Sequence, residues 1–169
     1  MKNVLLPAAA LAMAIVLLGC GSDEREQLIK SALVQIDSAK ENMALIRDYV
    51  VKWENEKKEE EKTKLLKNAV ELAGGVKDRL GALSKNALVF QNIKTQADKL
   101  EAGTPEDRKA LVDKYRDRFA SAIESANKER ILLNEAIARA EKKEKGPLAE
   151  LKISLQKAQG DFENLVKQR

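Results

Sequence analysis

Apolar residues recur along the chain at alternating steps of three and four positions, which is the spacing of one face of a helix. The first series consists of Ile29, Ala32, Ile36, Ala39, Met43, Ile46, Val50 and Trp53. A strand would alternate with a period of two, so this series predicts a helix over about residues 24–55 with coiled-coil-like packing. Leu28, Leu33 and Tyr49 widen the apolar stripe, as expected when a helix touches two neighbours.

A second series predicts a helix over about residues 63–102. Its members are Leu66, Ala69, Ala73, Val76, Leu80, Leu83, Ala87 and Phe90, followed after a small slip by Ile93, Ala97 and Leu100. Gly74 and Gly75 lie inside the series, yet the heptad phase runs across them without a shift. We therefore expect one continuous helix with a close-packing or bending point at this pair and at Gly81.

Two further helices are predicted over about residues 105–144 and 147–167. In "AGTPED" a glycine is followed by a capping threonine, Pro105 and two acids, which favours a tight helical hairpin. "KKEKGP" ends the third helix in the same way. The third series is Val112, Tyr115, Phe119, Ala122, Ala126, Leu133, Ala136 and Ala140, flanked by Leu111, Ile123 and Ile137; the fourth is Leu148, Leu151, Leu155, Ala158, Phe162 and Leu165.

These series together predict an all-α fold, an antiparallel bundle of about four helices in which the fourth is shorter. One junction stays open. Residues 54–64, "ENEKKEEEKTK", contain no glycine or proline, and the heptad phase shifts across them. Either the chain turns there or one long helix crosses a solvated stretch; we favour the turn, because a helix that is polar all round buries nothing.

Composition narrows the chemistry. The chain of 169 residues has 31 basic and 27 acidic residues and no histidine. Charges of both signs are interspersed, so the net charge of +4 does not mark a nucleic-acid-binding protein. Without histidine, the commonest general base and metal ligand is missing, and no nucleotide-binding or hydrolase motif is present. We expect no cofactor, no metal and no enzymatic activity.

The N-terminal segment predicts export. A short positive start, Met1-Lys2-Asn3, precedes sixteen uncharged residues, "VLLPAAALAMAIVLLG". A membrane-spanning helix needs about 20 apolar residues, so this run is typical of a cleaved signal peptide, residues 1–19. The tetrapeptide that follows, Leu17-Leu18-Gly19-Cys20, resembles the lipobox of bacterial lipoproteins, which places an apolar residue, a tolerant position and a small residue before the only cysteine.

This resemblance implies a lipid anchor. Lipoproteins of this kind carry a diacylglyceryl group on the cysteine sulfur and are cleaved just before it by signal peptidase II; many also carry an N-acyl chain. Cys20 would then be the first residue of a mature domain, residues 20–169, and two or three acyl chains hold a protein durably on a bilayer. Gly21, rather than aspartate, implies the outer membrane rather than the inner.

Acidic and aromatic residues offer few other candidates. Glu59, Glu60 and Glu61 are consecutive, so on a helix they diverge and are expected to be solvated rather than to bind a cation. Glu129 occupies a seam position of the third series, where a charged residue typically lies at a bundle edge or sets register. We expect the aromatic residues to pack in the core rather than to line a pocket; these are Tyr49, Trp53, Phe90, Tyr115, Phe119 and Phe162.

Two functional hypotheses follow. The first is a membrane-anchored scaffold that presents a binding face to an envelope protein, in the periplasm or at the cell surface. The alternative is a ligand-binding or chaperone-like lipoprotein that holds a lipid or a peptide at an end of the bundle left open by the short fourth helix. A third and lesser possibility is a passive spacer similar to murein lipoproteins, but the chain ends Lys167-Gln168-Arg169 and so lacks that family's terminal lysine.

Overall fold

A computed structural model describes residues 22–85 and 105–167. These residues form an all-α bundle of four helices, as predicted, and the fourth helix is the shortest. The helices are α1 (Ser22–Asn55), α2 (Glu59–Lys85), α3 (Pro105–Glu141) and α4 (Ala149–Lys167), with a 3-10 turn, Gly146–Leu148, before α4. The predicted residues 86–102 of the second helix and the cap at Gly103 and Thr104 lie outside the described part.

The apolar series predict the core closely. From Ala32 onward every member of the first series is buried, and so is every member of the second from Ala69 to Leu83. In α3 the stripe is wider than one seam, because the flanking residues Ile123 and Ile137 are also buried. The buried residues of the C-terminal part are Phe119, Ile123, Ala126, Leu133, Ala136, Ile137, Ala140, Leu148, Leu151, Leu155, Ala158 and Phe162.

The junction between the first two helices is a turn, as favoured above, but it is shorter than the charged run. It comprises residues 56–58, and α2 begins at Glu59 rather than near residue 63. The Glu56 side chain accepts hydrogen bonds from the backbone N–H groups of Lys57 and Lys58, at 2.8 and 3.0 Å. Three glutamates in the first turn of α2 then favour the positive end of its dipole, which explains the early start.

The third helix ends three residues earlier than predicted, at Glu141. The N–H groups of Lys143 and Glu144 both bond back to the carbonyl of Ala140, so the chain tightens into a turn. Gly146 and Pro147 then open the 3-10 turn, and α4 proper starts at Ala149 rather than at residue 147. Since a proline has no N–H to donate, it suits this first turn and not a later one.

Three pairs of helices pack closely: α1 with α2, α1 with α3, and α2 with α4. Ion pairs between helices show which helices run parallel. Arg47 pairs with Glu129 and Glu54 with Arg139, so α1 and α3 run parallel, while successive helices run in opposite directions. Side chains also meet between α3 and α4, where Gln159 donates to Asn134 at 2.9 Å. The cyclic order around the bundle is therefore α1, α2, α4, α3.

The glycine pair does not break α2, as the continuous heptad phase predicts. A Cβ added at Gly75 would lie 3.4 Å from the Asn42 amide nitrogen on α1, and one at Gly81 would lie 3.2 Å from an Asp161 carboxylate oxygen on α4. A Cβ at Gly74 would meet nothing within 4 Å. A side chain of a neighbouring helix therefore comes close to the backbone of α2 at Gly75, from α1, and at Gly81, from α4. No such contact is made at Gly74.

Candidate functional site

The predicted lipid-attachment residue, Cys20, and the lipobox residues Leu17, Leu18 and Gly19 lie outside the described part of the chain. The helical bundle begins close behind them, because α1 starts at Ser22. Two residues span at most about 7 Å, so an anchor at Cys20 leaves almost no slack before the first helical turn. None of the helices in the described part is both long enough and apolar enough to cross a bilayer.

The acidic candidates from the sequence do not converge. Glu59, Glu60 and Glu61 are all exposed at the start of α2. Within residues 22–85 and 105–167, no group of three or more acidic or cysteine side chains is placed to hold a metal ion. Glu129 lies at the edge of the α1–α3 contact, where one carboxylate oxygen is 3.2 Å from Arg47 Nε without the geometry of a hydrogen bond.

The aromatic candidates lie in the core where the structure describes their side chains. Trp53, Phe119 and Phe162 are buried, and Tyr49 packs at the core's edge. The side chains of Phe90 and Tyr115 lie outside the description. Core packing is therefore the role of the three buried aromatics, as expected.

A group of charged residues joins three chain segments at one end of the bundle. We call this end the turn end, because the 56–58 turn and the segment 142–148 meet there. Glu54 on α1 accepts a hydrogen bond from Arg139 Nε at 3.0 Å and forms an ion pair with Lys143 Nζ at 2.9 Å. The Glu54 side chain is only 7% exposed. Hydrogen bonding to Lys143 and Arg139 holds its pKa below the ordinary value.

Lys62 completes this group from the side of α2. Its ammonium donates to Glu144 at 3.2 Å, lies 3.5 Å from Glu59, and sits 5.1 Å from the centre of the Trp53 ring. The hydrogen bond to Glu144 raises the pKa of Lys62. We call these residues the tip clamp: Glu54, Lys62, Arg139, Lys143 and Glu144. The clamp ties α1 and α2 to the end of α3 and shields the indole ring.

A concave surface lies between α3 and α4, the neighbouring helices that pack least closely. We call it the α3–α4 groove; it has a volume of about 230 Å³. Its lining residues are Asn134, Ile137, Ala138, Glu141, Lys152, Leu155, Gln156 and Gln159. Glu141 and Lys152 pair across one end at 2.8 Å. Beyond Asn134, a separate cavity of about 10 Å³ reaches into the core, and Arg130 and Phe162 are among its lining residues.

Arg130 is held by two contacts from within the bundle. Its Nε and Nη2 donate to Asn127 Oδ1 at 3.1 and 2.9 Å, and its Cζ lies 5.8 Å from the centre of the Phe162 ring. Among the described residues, no carboxylate forms an ion pair with it. A guanidinium carries five N–H donors, so donors remain beyond those used by Asn127.

Comparisons with known proteins give no relative: no family model, no curated protein and no solved structure matches the chain.

The tip clamp and the α3–α4 groove were not predicted. Pairs such as Glu54 and Arg139 are 85 positions apart, and helical spacing within one segment carries no signal for them. A weak signal for the groove existed: Asn134, Gln156 and Gln159 stand beside apolar seam residues where a tightly packed bundle would place more apolar side chains.

Proposed function

We propose that the protein is a lipoprotein anchored through Cys20 to a bacterial membrane, the outer one in a diderm cell, and that its helical bundle is a non-catalytic interaction module of the cell envelope. The observation that carries this proposal is the tetrapeptide Leu17-Leu18-Gly19-Cys20, set between an uncharged run and a charged helix. In its favour, the described residues with fully buried side chains are all apolar, which is typical of a scaffold rather than of a buried reactive centre.

The position of α1 supports the scaffolding part of the proposal. This helix starts two residues after Cys20 and is 34 residues long, which is about 50 Å at 1.5 Å per residue. It packs against both α2 and α3, so the helix nearest the proposed anchor also organises the bundle. The turn end would then stand some 50 Å from the attachment point and present the flanks of the bundle to envelope proteins.

Exposed apolar side chains offer contact points along these flanks. They are Val34, Leu45, Ile131, Leu132 and Ile153, with 43 to 69% of each residue exposed. They are distributed over three helices rather than gathered in one patch, which fits several small contacts better than one large interface.

The anchor is tested by labelling cells with an alkyne-bearing palmitate analogue during expression of the full-length chain. The wild type should incorporate the label, and globomycin should cause the unprocessed precursor to accumulate. The matched control moves the thiol by two positions, combining Cys20→Ser with Ser22→Cys. That variant keeps the cysteine count and should be neither labelled nor cleaved; equal labelling of both proteins would overturn the proposal.

The interaction part is tested by photo-crosslinking in the same cells. A photoreactive amino acid placed at Val34 or Ile153 should join the protein to the same envelope partner in independent cultures. Leu151 is 0% exposed and provides a matched position on α4. Crosslinks at the exposed positions that vanish at Leu151 support the module; no specific adduct at any exposed position contradicts it.

Ligand binding at an open end of the bundle is the alternative. The helix α4 starts at the turn end and stops partway along α3, so an open region would lie toward the start of α1. Just beyond the end of α4, Ile36 and Phe119 are 0% and 1% exposed, so these two core residues offer a ligand no surface. Among the described residues the α3–α4 groove is a second candidate place for a ligand, and its polar lining favours a peptide over a lipid.

A further inference from the structure

We propose that the α3–α4 groove binds an extended peptide segment that places a carboxylate on Arg130. This inference rests on the proposed interaction module and specifies the chemistry of one partner. The juxtaposition that carries it is an arginine just beyond one end of the groove, with no carboxylate partner among the described residues, next to a row of side-chain carboxamides.

The size of the groove favours an inserted chain segment over an enclosed small molecule. The groove has a volume of about 230 Å³. Pockets that enclose drug-sized ligands start at about 300 Å³. The groove follows α3 from Asn134 to Glu141, seven helical residues or about 10 Å, and Arg130 lies one helical turn beyond it. About five extended residues would span the whole distance from Arg130 to Glu141.

The lining favours extended backbone over a helix or an acyl chain. The Gln156 side chain presents a carboxamide that both donates and accepts hydrogen bonds. Asn134 and Gln159 are joined to each other at 2.9 Å, which leaves the Asn134 amide N–H groups and the Gln159 carbonyl oxygen for a ligand. A partner helix has already used its backbone groups internally, and an acyl chain has none to offer. An extended segment brings one N–H and one C=O per residue, while Ile137, Ala138 and Leu155 give its side chains an apolar floor.

Charge complementarity determines what should lie at the Arg130 end. The guanidinium is fixed by Asn127 on one edge and by the Phe162 ring on its face, so it is oriented before any ligand arrives. Planar guanidinium groups bind carboxylates with two parallel hydrogen bonds. At the opposite end Lys152 is already paired with Glu141 at 2.8 Å, so the groove has one cationic end open to an acidic group.

The experiment is a selection of phage-displayed random dodecapeptides on the full-length protein held in detergent. We expect enriched sequences to share an acidic residue within a short extended motif. A synthetic peptide of the enriched sequence should bind measurably, and replacing its acidic residue by the matching amide should weaken binding about tenfold or more. No enrichment above empty support, or an enriched peptide indifferent to that replacement, would overturn the proposal.

Protein variants locate the site independently. Arg130→Gln should weaken the selected peptide about tenfold, whereas Arg118→Gln, which removes an exposed arginine elsewhere on α3, should not. Because Arg130→Gln also removes contacts to Asn127 and Phe162, a second variant is needed. Ala138→Trp fills the exposed groove wall without touching Arg130 and should block binding, whereas Ser121→Trp, on an exposed site of the same helix, should leave it unchanged.

If Arg130→Gln and Ala138→Trp both bound the selected peptide with unchanged affinity, the peptide would bind elsewhere and the groove would not be its site. Such a result would leave the palmitate labelling and crosslinking untouched. Failure of the peptide site and failure of the anchored module are therefore distinguishable.

Discussion

Phe162→Ala should destabilise the bundle strongly, because this ring fixes the short fourth helix to the other three. Phe162 is 1% exposed and borders a cavity shared with Met43, Val76 and Leu133, one residue from each of the other helices. Truncating a fully buried phenylalanine costs about 3–5 kcal/mol in lost transfer energy and residual cavity. The existing cavity would grow rather than collapse, since its walls come from four separate helices.

A loss of about 3–5 kcal/mol is a large part of the total free energy of unfolding. Domains have free energies of unfolding of about 5–15 kcal/mol, and in proteins of 150–250 residues each kcal/mol shifts Tm by about 2–4 °C. We therefore expect Tm to fall by about 6–20 °C, measured by far-ultraviolet circular dichroism on the full-length protein in detergent. The midpoint of urea unfolding should fall in parallel.

Ile153→Ala is the matched control on the same helix. Ile153 is 69% exposed, so its truncation should change the free energy of unfolding by about 0.5 kcal/mol or less. If Phe162→Ala and Ile153→Ala had the same free energy of unfolding, or if Ile153→Ala were the less stable variant, α4 would not pack with its Phe162 face toward the core. The core assignment of that helix would then be wrong.

Three further predictions concern charge and glycine. The lowered pKa of Glu54 means that its stabilising contribution is present above the ordinary value of 4.5 and is lost as the pH falls through the folded-state value. Glu54→Gln should thus lower the urea midpoint at neutral pH and converge with the wild type in acid; a constant difference would refute the clamp. Gly74→Ala should stabilise α2 by about 0.5–1 kcal/mol, and Gly81→Ala by less because its Cβ would crowd a carboxylate; equal gains in thermal unfolding would contradict the close contact. Arg47 and Glu129 should show a coupling below about 1 kcal/mol in a double-mutant cycle, because the Arg47 side chain is 32% exposed; a larger coupling would mean a drier pair than described.

The sequence predicted which face of each helix is buried but not which helix that face meets. Heptad spacing is a local property, so the positions from Ala32 to Trp53 could be assigned without any tertiary knowledge. The cyclic order α1, α2, α4, α3 depends on contacts between residues such as Arg47 and Glu129, which are far apart in the chain. No periodicity within one segment encodes that order.

The ends of the elements were the least predictable part. The start of α2 at Glu59 depends on the Glu56 side chain bonding two backbone N–H groups, a geometry that a run of charged residues does not reveal. The same limit applies to the candidate sites. The lipobox can be read from four adjacent residues, whereas the groove exists only because α3 and α4 approach each other loosely along their length.

The tip clamp makes the two halves of the bundle respond differently to ions. Along the middle of the bundle the helices are joined mainly by buried apolar side chains, whose packing salt barely weakens. The turn end is joined in addition by partly exposed charge pairs, which mobile ions screen. Raising the ionic strength should therefore speed amide exchange near residues 54–62 before it changes the centre of α1. With the anchor proposed at Cys20, the end of the bundle farthest from the attachment point would loosen first.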